Sequence, residues 1–385
     1  MHQKHIARFE QLTGLRFLAA AGVAICHFSM LLGIPEGLRF LTDFFGSFVA
    51  LFFVLSGFVL AHTYAESFQQ PDFKATYRAF LVARFARVAP MYWLSLLAIL
   101  ALFYWSGFHL SLGGTAEYGH KLDSFVLNFF ALQAWIPDVE VQQYWNAPGW
   151  SISSEVFFYA AFPLVLRLPL LDGSRRSFFI LWLGMALMLA VIYALATLYL
   201  DESPQKTVWL AYVIRCPLLG FFCFSLGVHL QRAAVGRDDG SVRTTPTVLL
   251  CLAAFVLMIS HQAYAFKASA KDGFYAGIVA IYLIYTPFFY CLILALLRSD
   301  NKMTRTLSRP AMVELGNASY ALYLIHWTAL CVAISTPHLF LEKPWMSWLL
   351  LVLLVLLSVV LYRRFESPFR SSICMRLSRK MPHAA

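Results

Sequence analysis

The stretch Leu12–Phe28, LTGLRFLAAAGVAICHF, decides how the chain is read. It is apolar apart from two cationic residues, Arg16 and His27, with ten residues between them. In a helix, eleven steps of about 100° amount to about 1100°, or three turns plus about 20°. Arg16 and His27 then share one face, about 16 Å apart along the axis. A charge and a titratable imidazole on one stripe of a membrane helix are costly, and normally face a bundle interior or a wet cavity. The stretch predicts a chain that does chemistry, or moves a solute, inside a bilayer.

Composition agrees. Of 385 residues, 60% are hydrophobic and 13% charged, with a mean hydropathy of +0.67. A soluble domain is about 45–50% apolar and about 25% charged. Several apolar stretches of about 20 residues suffice to cross a hydrocarbon core of about 30 Å. The expected fold class is all-α: a polytopic transmembrane helical bundle forming one domain over 1–385, with a core at about 12–370 and a basic tail at 371–385. Sixteen prolines and twenty glycines suit helices packed on one another. The net charge of +10 does not indicate nucleic acid, because the basic residues lie in short loops between spans, where orientation explains them. The seven cysteines lack any CxxC spacing and read as small core residues. The N-terminus has the basic start and apolar run of a signal peptide, but Arg16 and His27 sit in that run and a second span follows at once. An uncleaved first span is expected.

Ten spans are expected, at 12–33, 44–65, 86–108, 150–170, 177–200, 208–231, 246–265, 274–297, 315–335 and 345–364. Phe125–Trp135 is too short to cross comfortably and reads as interfacial or re-entrant. With both termini cytoplasmic, inside segments carry 22 lysines and arginines and outside segments six, a strong positive-inside bias. No soluble domain, linker or clear internal repeat is visible; many transporters are built from repeats.

The spans also give depths. His27, Glu155 and Arg215 fall on three helices in one layer of the outer half, with His326 slightly deeper. Arg16, Arg84 and Arg87 form a basic inner level. A His beside a Glu can act as general base, the carboxylate fixing its tautomer. An arginine cluster suits phosphates through bidentate pairing. Arg84 and Arg87 are i, i+3 neighbours, and Pro90 reads as the first turn of the third span. Trp150, Ser151 and Glu155 open the fourth span, with Tyr159 continuing the stripe; capping and an aromatic belt account for the serines and the Trp but not the acid. Ser319, Tyr323 and His326 recur at i, i+4, i+7 and line one face. No metal-ligand spacing appears.

Together these residues resemble acyltransferase family 3, integral membrane acyltransferases. Arg-x10-His stands at Arg16 and His27, FFVLSGF at Phe52–Phe58, RxxR at Arg84 and Arg87, WSxxxE at Trp150, Ser151 and Glu155, and SYxLYLxH at Ser319, Tyr320, Tyr323 and His326. ESPFR at Glu366–Arg370 resembles the family's acid-x-Pro ending. Many members carry a second acid after the motif Glu; here that place is Val156.

The resemblance implies transfer of an acyl group, usually acetyl, from cytoplasmic acyl-CoA to hydroxyls of surface or lipid-linked glycans. It implies an acyl-CoA donor as substrate with no permanently bound cofactor, a glycan or lipid-linked sugar acceptor, and a place in a bacterial-type cytoplasmic (inner) membrane among its lipids. On this reading His27 and Glu155 are catalytic, with Glu155 orienting His27 or sharing its proton. Arg16, Arg84 and Arg87 hold the donor's phosphates, and Trp150, Ser151, Arg215, Ser319, Tyr323 and His326 line or support the substrate. Succinyl-CoA is an alternative donor, a small hydrophobic natural product an alternative acceptor, and transfer through a covalent acyl intermediate an alternative route. The competing class is a proton-coupled transporter or exporter in which His27, Glu155 and His326 relay protons; it moves substrate without consuming acyl-CoA. A purely structural membrane protein would leave the buried charges unexplained.

Overall fold

The computed structural model describes residues 9–106, 121–199, 212–213, 215–235 and 281–378. Every regular element among them is helical. The long helices are α1 (Glu10–Phe28), α2 (Phe48–Tyr64), α3 (Phe73–Ser106), α4 (Trp150–Val165), α5 (Arg175–Tyr199), α6 (Pro217–Val235), α7 (Thr286–Arg298), α8 (Pro310–Ser335), α9 (Pro344–Leu361) and α10 (Ser367–Ser378). Among the described residues, seven helical stretches are long and apolar enough to cross a membrane: Glu10–Phe28, Glu36–Tyr64, Phe73–Tyr104, Arg175–Leu195, Ile281–Arg298, Pro310–Ser335 and Pro344–Arg376. Of the ten expected spans, 246–265 lies outside the described residues. The expected fourth span is α4, whose 16 residues reach only about 24 Å. The sixth is α6, where Ser225, His229, Gln231 and Arg232 dilute the apolar run.

Two close helix crossings set the core. Gly57 of α2 and Gly227 of α6 face each other's backbones: a Cβ on Gly57 would lie 2.0 Å from the Phe224 carbonyl oxygen, and one on Gly227 2.1 Å from that of Val54. Small residues allow this approach, the usual solution where lipid supplies no hydrophobic drive between helices. The second crossing joins α1 to α8, where a Cβ on Gly316 would lie 1.9 Å from the Thr13 carbonyl oxygen. Helix α8 also packs on α3 and α9, which makes it the centre of the bundle. By contrast, Leu183 and Leu187 of α5 and Val352 and Leu356 of α9 are exposed apolar side chains, as expected of faces turned to lipid.

Several boundaries differ from expectation. Helix α1 ends at Phe28 rather than near 33, and the chain turns at Gly33, whose φ of 66° suits glycine. Helix α3 begins at Phe73, so Arg84 and Arg87 lie within it and Pro90 is internal rather than at a first turn. Basic residues do not stop a helix, and Pro90 costs one bond to the Ala86 carbonyl. The short piece Phe125–Trp135 is the end of a helix, Lys121–Phe129, then a reversal at Ala131 with φ 54° and a tight turn at Gln133–Trp135. Buried amides fix it: Asn128 Nδ2 donates to the Ser124 and Val141 carbonyls at 2.9 and 3.0 Å, and Gln133 Nε2 to the Tyr92 hydroxyl at 3.0 Å.

Candidate active site

Two interior cavities adjoin one another. The first, about 100 Å³, is lined by Arg16 of α1, Arg84 and Arg87 of α3, Ser151, Glu155 and Tyr159 of α4, and Ser319, Tyr320 and Tyr323 of α8. The second, about 330 Å³, is lined by His27 of α1, Gln143, Trp150, Arg215, Tyr282, Tyr323 and Trp327. Val49, Phe53 and Tyr323 line both and form the wall between them. Arg16 and His27, one stripe of α1, therefore serve different chambers, and the eleven-residue spacing runs from one to the other.

The arginine chamber sets cations beside one acid, Glu155, and a second acid, Glu366, pairs with one of its arginines. Arg87 Nη1 donates to Glu366 Oε1 at 2.5 Å, and Glu366 is only 1% exposed. A π-helical turn, Tyr362–Glu366, carries Glu366 out of an otherwise exposed segment into this contact. Such turns recur where a helix re-aims a side chain. Arg84 Nη2 donates to the Tyr64 hydroxyl at 2.8 Å, while its buried Nε has no partner among the described residues. The Tyr159 hydroxyl donates to Glu155 Oε2 at 2.9 Å, as the i, i+4 stripe predicts. The charges acting on Glu155 are those of Arg16, Arg87 and Arg84. Arg16 makes no hydrogen bond or ion pair among the described residues. A guanidinium lining a cavity, beside another with an orphaned N–H, is the donor set an anion would complete.

One member of a pair of imidazoles lines the second chamber. His27 Nδ1 and His326 Nε2 lie 2.8 Å apart, with near-parallel rings at 10°. Trp327 packs edge-on to His27 at 5.4 Å between centroids. His326 is fully buried, and His27 lines the cavity. The expected pairing of His27 with Glu155 is not the one formed. Glu155 turns to Tyr159 and the arginines, and the imidazole of α8 takes the place beside His27. Sequence depth puts Glu155 in the layer of His27; the structure sets it instead in the chamber of Arg16, Arg84 and Arg87. Arg215 shares the chamber and pairs with Gln143: with the amide oxygen facing the guanidinium, it accepts from Nη2 at 2.5 Å and Nε at 2.7 Å.

The other expected residues fall around the wall. The Tyr323 and Ser151 hydroxyls are 2.8 Å apart, and Ser151 Oγ also donates to the Pro148 carbonyl at 2.8 Å. Trp150 lines the histidine chamber and packs on Phe53 at 6.1 Å. Ser319 lines the arginine chamber with its hydroxyl returned to the Gly316 carbonyl at 2.7 Å. Sequence reasoning did not assign Glu366, Tyr320 or Gln143 to the site. Glu366 and Tyr320 stood inside quoted motifs and were legible as such; nothing local marks Gln143.

Ionisable side chains gathered around two adjoining interior chambers of a bundle with membrane-length helices mark a functional site inside it. Residues 9–363 match the model of the acyltransferase domain family, acyltransferase 3, and the chain belongs to that family: it is a membrane acyltransferase. It is 28% identical over 339 residues to acyltransferase MdmB of Streptomyces mycarofaciens, an alignment covering 84% of this chain and 79% of that protein. It is also 37% identical over 103 residues to protein 2 in the picA locus of Rhizobium radiobacter, covering 27% of this chain and half of that one. No solved structure matches the chain.

Proposed function

We propose that the chain moves an acyl group, acetyl in the simplest case, from a cytoplasmic acyl-CoA to a hydroxyl of a cell-surface or lipid-linked glycan. The observation that carries this reading is the shared wall at Val49, Phe53 and Tyr323 between an arginine-lined cavity and a histidine-lined one. Phosphates of the donor are held by Arg16, Arg84 and Arg87, and the pantetheine arm passes along α1 towards His27. His27 removes the proton from the acceptor hydroxyl, the oxygen attacks the thioester carbonyl, the C–S bond breaks, and the thiolate leaves as CoA after taking that proton. Glu155 acts in this scheme from the donor side, where it balances the arginine cluster.

The orientation proposed places the arginine chamber and both termini on the cytoplasmic side of a bacterial-type inner membrane. The excess of lysine and arginine in the corresponding loops supports it.

The test is CoA release by purified protein in nanodiscs given acetyl-CoA, with and without a surface-glycan fraction, His27→Ala being the control. Release that needs both the glycan and His27 is expected. Substrate movement without release, from folded protein, would replace this reading with proton-coupled transport.

A further inference from the structure

The hydrogen bonds around the imidazole pair fix which nitrogens carry protons. His326 Nδ1 lies 3.3 Å from the Leu322 carbonyl oxygen, one turn back on α8. A carbonyl oxygen only accepts, so His326 Nδ1 carries the hydrogen. In the neutral ring, His326 Nε2 is then a bare acceptor. Its partner at 2.8 Å, His27 Nδ1, must therefore be the donor. His27 is left with its lone pair on Nε2, on the edge of the ring away from His326. Of the two rings, His27 lines the cavity and His326 does not, so His27 is the one within reach of a bound acceptor.

We propose that His326 is the positioning residue of the base: it holds His27 as the Nδ1–H tautomer, with Nε2 as the atom that takes the acceptor's proton. This rests on the acyl-transfer reading above. When Nε2 accepts the proton, His27 becomes an imidazolium. Its Nδ1–H stays bonded to His326 Nε2, so the new charge faces a buried lone pair rather than a bare apolar wall. The acceptor oxygen forms the ester bond, sulfur takes the electron pair of the broken C–S bond, and the Nε2 proton passes to the thiolate. His27 returns to its starting tautomer, and no proton need leave the chamber. A carboxylate fills this orienting role in most histidine bases. Here the element packed on α1 supplies an imidazole, itself oriented by the backbone of its own helix, so the device introduces no second acid.

Two substitutions test it. His326→Leu removes the acceptor for Nδ1–H. His326→Gln offers an amide oxygen near the Nε2 position and an N–H₂ for the Leu322 carbonyl. Both are compared with wild type and His27→Ala in detergent-purified, folded form, measuring kcat and KM for acyl-CoA by CoA release. The expectation is a kcat loss of about 100-fold for His326→Leu with KM little changed, and recovery of at least about tenfold of that loss in His326→Gln. Wild-type turnover in both variants overturns the proposal. Equal loss in both, with folding intact, also overturns it, because filling space would then matter and accepting the Nδ1 proton would not. If His27→Ala turns over normally, the acyl-transfer reading of His27 falls instead, whatever the His326 variants do.

Discussion

The Tyr323 hydroxyl lies 2.8 Å from Ser151 Oγ and 3.3 Å from the Pro148 carbonyl, and its ring is part of the wall shared by the two chambers. Tyr323→Phe keeps the wall and removes one hydroxyl. Ser151 still has the Pro148 carbonyl, so stability should fall by only about 1 kcal/mol and turnover should change little. Tyr323→Trp adds bulk where the acyl arm passes, and a misplacement of about 1 Å can cost about 100-fold in rate. The expected result is a kcat loss of that order with KM for the donor retained. A Trp variant as active as wild type would mean the arm takes another path.

The pair Arg87–Glu366 joins α3 to the end of the chain across 279 residues of sequence. Glu366 is buried, and its second oxygen has no partner among the described residues. Glu366→Ala removes the carboxylate hydrogen-bonded to Arg87, and breaking a buried pair typically costs about 3–5 kcal/mol. The double variant Arg87→Ala/Glu366→Ala should lose less stability than the two single losses added together. A thermal-unfolding cycle in one detergent measures this; strict additivity would show that the two groups are not coupled.

This pair also marks how far the sequence could be read. Arg16 and His27 were legible because both sit on one helix, where a fixed turn angle decides which side chains share a face. The Ser151–Glu155–Tyr159 stripe was legible for the same reason, and its Glu155–Tyr159 half is a hydrogen bond. His27–His326 and Arg87–Glu366 were not legible as pairs. Each joins helices nearly the whole chain apart, and spacing within a helix says nothing about which neighbour it meets. Depth estimates put Glu155 in the layer of His27 and His326 slightly deeper, whereas the structure sets Glu155 with Arg16 and brings His326 against His27. Span ends missed for a related reason: Arg84 and Arg87 look like a loop when hydropathy alone is read, yet α3 runs through them.

The α2–α6 crossing has no room for a methyl group. Gly57→Ala and Gly227→Ala each press a Cβ onto a carbonyl oxygen at about 2 Å, and backbone must move. A loss of about 1–3 kcal/mol is expected, seen as a lower melting temperature and lower yield. Gly184 of α5 is the control, since its Cβ would meet nothing nearer than 3.9 Å. Gly184→Ala should be neutral or slightly stabilising, because alanine is the better helix former. Equal behaviour of all three would argue against the crossing.

The loop between α4 and α5 gives a pH-dependent readout outside the spans. The Ser177 hydroxyl and the Ser174 backbone N–H hold the Asp172 carboxyl down to about 2, against an ordinary value of 3.8. A depressed carboxylate stabilises the fold above its unfolded pKa, and that contribution is lost as pH falls through the folded value. Asp172→Asn keeps the acceptor oxygen and removes the charge. The melting-temperature gap between wild type and variant should be steady above about pH 5 and close as pH falls from about 4 towards 2. A gap independent of pH would assign the loop's stability to something other than this charge.

The last prediction separates donor binding from chemistry. Arg16 lines the arginine chamber without a hydrogen-bonding partner among the described residues, one face-length along α1 from His27. If it holds a donor phosphate, Arg16→Gln removes a charge-assisted bond of about 1.5–3 kcal/mol, which corresponds to a rise of roughly tenfold or more in KM for acyl-CoA. Acyl-pantetheine carries the same thioester without the phosphates. Its weaker turnover should be the same in wild type and Arg16→Gln, because the lost contact was never available to it. His27→Ala should abolish turnover of both donors, since the base acts on the acceptor whichever thiol leaves. An Arg16→Gln variant equally impaired with acyl-CoA and acyl-pantetheine would place Arg16 in the reaction itself, or in the packing of α1, rather than at the phosphates.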